Sequence, residues 1–221
     1  MGWKIKMNSF FDTSVIIKYG SFDKNSKDEF SLKCFNYILS KEGKFLLAYY
    51  VEDEIKNRIK KRRIIFQEAL NKIKNPSYEI EKTKNYNELR ASDKAYLKKL
   101  YEKLKDKNII DAKRNLSEEQ INFEIRIDQF LKVLVDERII KINEIKQELV
   151  KVLNNFVDDY ADCKVLASAI QAQEKRDIFL FISCDDHFNP NTYKFVKDQF
   201  EIDYPKDNYK FPTLKNLLYE D

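Results

Sequence analysis

Glycine, proline, cysteine and histidine are all scarce in this chain: three Gly, four Pro, three Cys and one His in 221 residues. So few Gly and Pro argue against flexible linkers and low-complexity tracts. Cys34, Cys163 and Cys184 are far apart, odd in number and without a CxxC pair. That pattern speaks against a disulfide framework and a zinc knuckle, and the expected compartment is a reducing cytoplasm. The opening MGWKIKMNSFF has no long apolar stretch and no small-residue cleavage site, and no run of 18 apolar residues occurs anywhere. Neither secretion nor a membrane partner is expected.

What the chain has is a core and an uneven charge. Hydrophobic residues make up 43% and charged residues 35%, the latter above the usual share of about a quarter. The net charge is only +4. From Ile55 to Asn115, however, 19 Lys or Arg face 8 Asp or Glu, a net of +11, so the remainder carries −7. A basic segment set against an acidic remainder suggests a polyanion contact in a protein that also has a cation site.

Period and punctuation give the expected elements. Met7–Phe11 reads as a strand running into a helix from Thr13, with a Thr or Ser hydroxyl available as cap. A helix over Phe30–Leu39 is expected to end at Gly43, and Lys44–Tyr50 (KFLLAYY) reads as a buried strand. Glu52–Leu70 is helical and densely basic, and Asn75-Pro76-Ser77 breaks it. Ser117-Glu118-Glu119-Gln120 looks like a capping box for a helix to about Val135. Arg138–Ile142 is a short strand candidate. Asn143 then caps a helix through Leu153, and a second runs from Phe156 to about Glu174. Asp177–Ser183 (DIFLFIS) is the clearest buried strand. A helix over Tyr193–Phe200, a weak strand at Glu201–Tyr204 and a final helix opened by Phe211-Pro212-Thr213 complete the list. Strands alternating with helices predict an α/β fold, a three-layer α/β/α sandwich on a mostly parallel sheet.

In such sheets ligands bind at the carboxyl ends of the strands. Asp12 and Asp185 each follow an apolar strand directly. One such Asp alone is usually a cap or turn former; two of them, with two more acids on helices, point to a cation site. Glu54 follows the second strand, with Glu52 and Asp53 as neighbours that compete for the assignment. Asp162 opens a helix whose Val165, Leu166 and Ala169 share its face. Four carboxylates in one cleft cannot all ionise without a cation, and hard oxygen ligands suit Mg2+ or Mn2+. Asp158 and Asp159 read as first-turn charge, Asp186 as a solvated loop acid, and His187 as a residue that shapes the loop.

Phe10-Phe11-Asp12-Thr13-Ser14, then Glu54-Ile55 after a strand, then Asp162 with Ala167-Ser168-Ala169, then Phe181-Ile182-Ser183-Cys184-Asp185-Asp186-His187-Phe188 resemble, in that order, the PIN-domain family. Its best-known members are VapC-type toxin ribonucleases. The resemblance covers about the first 60 residues and everything from about 138 onward, and includes the ending Phe211-Pro212-Thr213-Leu214-Lys215-Asn216-Leu217-Leu218 as the family's closing helix. It implies that Asp12, Glu54, Asp162 and Asp185 are the metal-binding and catalytic acids. Ser183 falls where the family often has a hydroxyl near the metal, and Thr13 or Ser14 can face the same site. The implied reaction is hydrolysis of an RNA phosphodiester to 5′-phosphate and 3′-hydroxyl ends.

The chain departs from the family's pattern in the span of 108 positions from Glu54 to Asp162. The excess, about 67–135, reads as a helical basic insertion within a single domain of 1–221. The run Lys56, Arg58, Lys60, Lys61, Arg62 and Arg63 abuts it and is the candidate for RNA backbone contact. Tyr78, Tyr86, Tyr96 and Tyr101 can stack on unpaired bases or pack a helical core, Tyr101 being the favoured core residue. The insertion can also replace the family's dimer contact, leaving a homodimer open, or receive an antitoxin protein. Two competing expectations are a structure-specific DNA nuclease of the same fold and a non-catalytic RNA-binding scaffold. A phosphatase or receiver-type acidic pocket is disfavoured, because the first strand ends Asp-Thr-Ser rather than Asp-x-Asp and no lysine ends a later strand.

Overall fold

In the computed structural model, which describes residues 7–24, 28–175, 179–204 and 209–219, the chain opens with β1 (Asn8–Phe11) and α1 (Thr13–Gly20). There follow α2 (Glu29–Ser40), β2 (Phe45–Ala48), α3 (Tyr49–Lys74), a short α4 (Lys84–Asn87), α5 (Ala91–Leu104) and α6 (Ile109–Gln129). A π-helical turn (Phe130–Leu134) leads to β3 (Glu137–Ile139), then α7 (Gln147–Leu153), α8 (Tyr160–Lys175), β4 (Phe179–Ser183), α9 (Pro190–Asp203) and β5 (Thr213–Asn216). Asp177, in the expected fourth strand, lies outside the described residues.

Among the described residues, five strands form one all-parallel sheet in the order β3-β2-β1-β4-β5, an α/β architecture of the three-layer sandwich type. FLLA of β2 is buried at every position, as a strand covered on both faces must be. Alternation along β1 splits the core. Phe11 meets Tyr37 of α2 and Phe130. Phe10 meets Phe181, which packs on Tyr193 of α9. The chain winds outward from β1 in both directions, so the crevice at the strands' carboxyl ends opens beside β1 and β4. Among the described residues no helix is long and apolar enough to cross a membrane.

Contacts divide the chain into two compact units, one of residues up to Ile55 and from Arg126 onward, the other Lys56–Ile125. The first holds the sheet. The second is all helical, with Ile65, Phe66, Leu97, Leu100, Leu104 and Leu116 in its core. Both boundaries fall inside helices, α3 and α6, so no Pro, Gly or loop marks them, and the unit departs from the expected 67–135. Tyr78, Tyr86 and Tyr96 pack against this core, whereas Tyr101, the expected core residue, is only half-buried.

Several expected elements differ. The box at Ser117 caps nothing: α6 runs through it, because Ala112, Leu116, Phe123 and Ile127 make one buried stripe at helical spacing. The cap is Asn108, whose Oδ1 accepts the Asp111 N–H at 2.8 Å. Asn143 sits in a 3₁₀ turn and caps no helix. The helix expected from Phe156 starts at Tyr160, with Asp159 accepting the Ala161 N–H at 2.7 Å. α9 continues to Asp203 where a strand was expected. The expected closing helix is instead β5, which pairs from Leu180–Thr213 to Ser183–Asn216 along the edge of β4. The α1 start has no side-chain cap; its hydroxyls are used elsewhere.

α2 ends at Ser40, before Gly43. Gly43 lies in the turn into β2 at φ +84°, where a Cβ would stand 2.3 Å from the Met7 carbonyl oxygen. The left-handed conformation alone costs a side chain about 1–2 kcal/mol, and the clash adds to it. Gly43→Ala is expected to destabilise the chain by about 2 kcal/mol or more, as measured by urea unfolding; a change below about 0.5 kcal/mol, the size of a neutral surface substitution, would contradict this placement.

Candidate metal centre

β1 and β4 are neighbours, and the Asp12 N–H donates to the Ile182 carbonyl at 2.9 Å. The residues just beyond both strands therefore meet. Two hydroxyls join them. Ser183 Oγ donates to Asp12 Oδ2 at 2.9 Å and accepts the Asp185 N–H at 3.1 Å. Ser14 Oγ also donates to Asp12 Oδ2 and accepts the Cys184 N–H at 3.0 Å. Both hydroxyls satisfy the same oxygen, and among the described residues Oδ1 takes no hydrogen bond. Asp12 is buried and takes both hydroxyls on one carboxylate oxygen.

Asp185 and Asp162 are linked through the chain's only histidine. Nδ1 of His187 stands 2.8 Å from Asp162 Oδ2 and 3.0 Å from Asp185 Oδ1, and the His187 N–H donates to the same Asp185 oxygen at 2.9 Å. One ligand atom from each of Asp162, Asp185 and His187 fits within 4.8 Å. Glu54, on the first turns of α3, is fixed by the Thr13 hydroxyl at 2.6 Å and contributes to the field on Asp12. Its neighbour Glu52 is committed elsewhere, to Arg138 at 2.6 Å, which separates the two on geometry. Asp158 is exposed, and Asp186 accepts the Tyr219 hydroxyl at 2.6 Å at the surface.

Sequence reasoning missed two residues. His187 reads in sequence only as a residue that shapes the loop, although its place two positions after the strand-terminal acid is a signal for the site. Asn216 was placed in a helix that does not form. From the end of β5 its buried amide donates to the carbonyls of Asp185 and Phe188, both at 2.8 Å, and so clamps the loop carrying Asp185 and His187.

Burial and neighbouring charges together set the electrostatics of these acids. Burial pushes the Asp12 carboxyl up to about 6; the Ser14 and Ser183 hydroxyls oppose the rise, and Asp185 and Glu54 add to it. Burial, then Asp12, Asp185 and Asp159, push Asp162 up to about 7 against the pull of His187. Burial alone would lower His187, but Asp162, Asp185 and Asp159 together raise it. The donor set fits a hard divalent ion: mainly carboxylate oxygens with one imidazole nitrogen, which suits Mn2+ at least as well as Mg2+.

The basic run falls in the helical unit, where its arginines are largely engaged. Arg58 pairs with Asp93 at 3.5 Å, and Arg63 grips Glu124 with two nitrogens at 2.7 and 2.6 Å. Arg62 pairs with Glu119 at 2.5 Å and lies over the rings of Phe66 and Phe123 at 4.9 and 4.6 Å. Arg62 is thus a strut of the helical core rather than an open phosphate contact. Lys56 and Lys60 face solvent, and Lys61 is half-buried. No protein-family model, curated protein or solved structure matches this chain.

The raised carboxyls and the raised imidazole act in one direction. Folded Asp12 and Asp162 keep protons that the unfolded chain releases above about 4, and folded His187 loses its charge stabilisation as pH rises through its raised value, so the metal-free protein loses stability as pH rises. In EDTA the thermal midpoint should fall between pH 5 and pH 8, and Asp12→Asn should raise it at pH 8 by several degrees, at roughly 2–4 °C per kcal/mol for this size. A midpoint that rises over that window, or an Asn variant less stable at pH 8, would contradict the charge assignment.

Proposed function

We propose that the chain is a Mg2+- or Mn2+-dependent endoribonuclease of the PIN type. The observation that carries this reading is the convergence of Asp12, Glu54, Asp162 and Asp185 at the crevice between β1 and β4, with two of the carboxyls held well above their usual range. Such a cluster is stable at neutral pH with a cation in it. Asp12, Asp162 and Asp185, with Nδ1 of His187, would hold the ion, and Glu54 would face it from α3. A divalent ion in that setting supplies a strong water-derived nucleophile near neutral pH and neutralises charge on a phosphodiester.

The chain's own groups do the positioning. The Ser14 and Ser183 hydroxyls fix Asp12 by one oxygen and tie it to the backbone beyond β4, so the two strand ends act as one rigid donor set. Thr13 orients Glu54. Asn216 holds the loop of Asp185 and His187 at fixed height. A ligand shell locked by packing and hydrogen bonds is what an in-line displacement requires. The basic helical unit, with 19 Lys or Arg against 11 Asp or Glu over residues 56–125, supports RNA rather than a small phosphoester as the substrate.

The same reading extends to a toxin restrained by an antitoxin protein, to a homodimer, and to the cytoplasm, in keeping with Cys34, Cys163 and Cys184 all being free thiols. The test is cleavage of mixed-sequence RNA with Mn2+. Asp12→Asn, Asp185→Asn and Glu54→Gln should each lower the rate at least about a hundred-fold, the upper range seen when only a supporting contact of a metal ligand is lost. Glu52→Gln should lower stability and leave turnover near wild type. Equal cleavage by wild type and the Asp variants would sink the proposal, and preference for a flap DNA substrate would replace RNA with DNA.

A further inference from the structure

The helical unit contains a cavity of its own, about 420 Å³, within the residues from Lys72 to Glu102. Ile80 and Leu97 supply an apolar floor, and Tyr86 and Tyr101 bring two half-buried rings to it. Lys94, Lys98 and Tyr101 fall at i, i+4 and i+7 on α5 and so form one stripe facing the cavity. The volume lies in the range of small-ligand sites, which combine apolar walls with a few convergent polar groups.

Its charge is unbalanced. Lys72, Lys94 and Lys98 line it against Glu81 and Glu102, and Glu102 is taken by Lys105 at 2.6 Å. Lys72 donates to the carbonyls of Pro76 and Tyr78 at 2.9 and 2.7 Å, so its charge meets no carboxylate there. Lys94 lies over the Tyr86 ring at 4.9 Å. Among the described residues neither Lys94 nor Lys98 forms an ion pair. Like charges one helical turn apart are unfavourable without an anion between them, and the surrounding unit carries a further excess of positive charge.

We propose that this cavity binds one unpaired nucleotide of a single-stranded RNA. The base stacks on Tyr101 against the Leu97 and Ile80 floor, and the adjoining phosphate lies between Lys94 and Lys98. Ring stacking accepts any base, and ammonium groups follow the backbone. The pocket selects unpaired over paired RNA, because a base inside a duplex cannot enter it. As a choice of substrate it rests on the nuclease reading, but binding itself needs neither the metal nor the acids.

The test is fluorescence anisotropy of a labelled ten-nucleotide RNA with the full chain in EDTA, where cleavage is silent. Tyr101→Ala should weaken binding about ten-fold, Tyr101→Phe should bind as wild type, and Lys98→Glu should lower the slope of log affinity against log salt by about 1. Far-ultraviolet circular dichroism checks that each variant is folded. A nucleoside monophosphate should compete, and duplex RNA of the same length should bind at least about ten-fold more weakly. Unchanged affinity in folded Tyr101→Ala, equal affinity for duplex, or competition by polyglutamate but not by the monophosphate overturns the proposal, the last pointing to an acidic protein partner. A chain that cleaves with Mn2+ but ignores Tyr101→Ala loses only the pocket; one that binds through Tyr101 but never cleaves loses only the nuclease.

Discussion

Holding several carboxylates together and out of water at the carboxyl ends of neighbouring parallel strands is the constraint around which this molecule is built. β1 and β4 must be neighbours for the sheet to wind outward in both directions, and each ends in an acid. Desolvation raises the energy of every anion placed there. Three devices offset the repulsion. The hydroxyls of Ser14 and Ser183 stabilise one oxygen of Asp12. The His187 imidazole stands between Asp162 and Asp185. Burial raises the Asp12 and Asp162 carboxyls, so both hold a proton to higher pH than an ordinary aspartate. A fold selected for stability alone would have no reason to gather these acids, and buried clusters of like charge are a recurrent mark of functional sites.

Asp12, Asp162 and Asp185 were legible because each has a local signature: an apolar strand that stops at an acid, or a helix face of small residues beside one. Glu54 was preferred over Glu52 only on its spacing from the second strand and the apolar Ile55 after it; the pairing of Glu52 with Arg138, 86 residues away, was not legible. Thr13, Ser14 and Ser183 were identifiable as hydroxyls near the acids, whereas the sharing of one Asp12 oxygen by Ser14 and Ser183 depends on strand register. β5 was unreadable for a different reason. Its TLKN sequence is polar and only half-buried, as suits an edge strand, so only its pairing with β4 reveals it, and with it the role of Asn216.

The same contrast holds in the helical unit. Periodicity placed the body of α3, but a short local pattern at Ser117 lost to a buried stripe that spans α6. The unit's limits lie inside continuous helices, where composition shows no break. Charge was the least reliable local guide: the run from Lys56 to Arg63 looks uniformly open in sequence, yet the guanidinium groups of Arg58, Arg62 and Arg63 pair with acids of α5 and α6. Such internal pairs fix helix packing and leave less charge for a partner than a residue count suggests.

The proposed function stands on binding of a divalent cation by the acid cluster. Isothermal titration of Mn2+ into the metal-free protein at neutral pH, repeated in buffers of different ionisation enthalpy, tests it most directly. Saturable binding with net proton release is expected, since an ion held there would displace protons from Asp12, Asp162 and His187, with loss of that binding in Asp185→Asn. No saturable heat, binding without proton release, or identical isotherms for wild type and Asp185→Asn would contradict it.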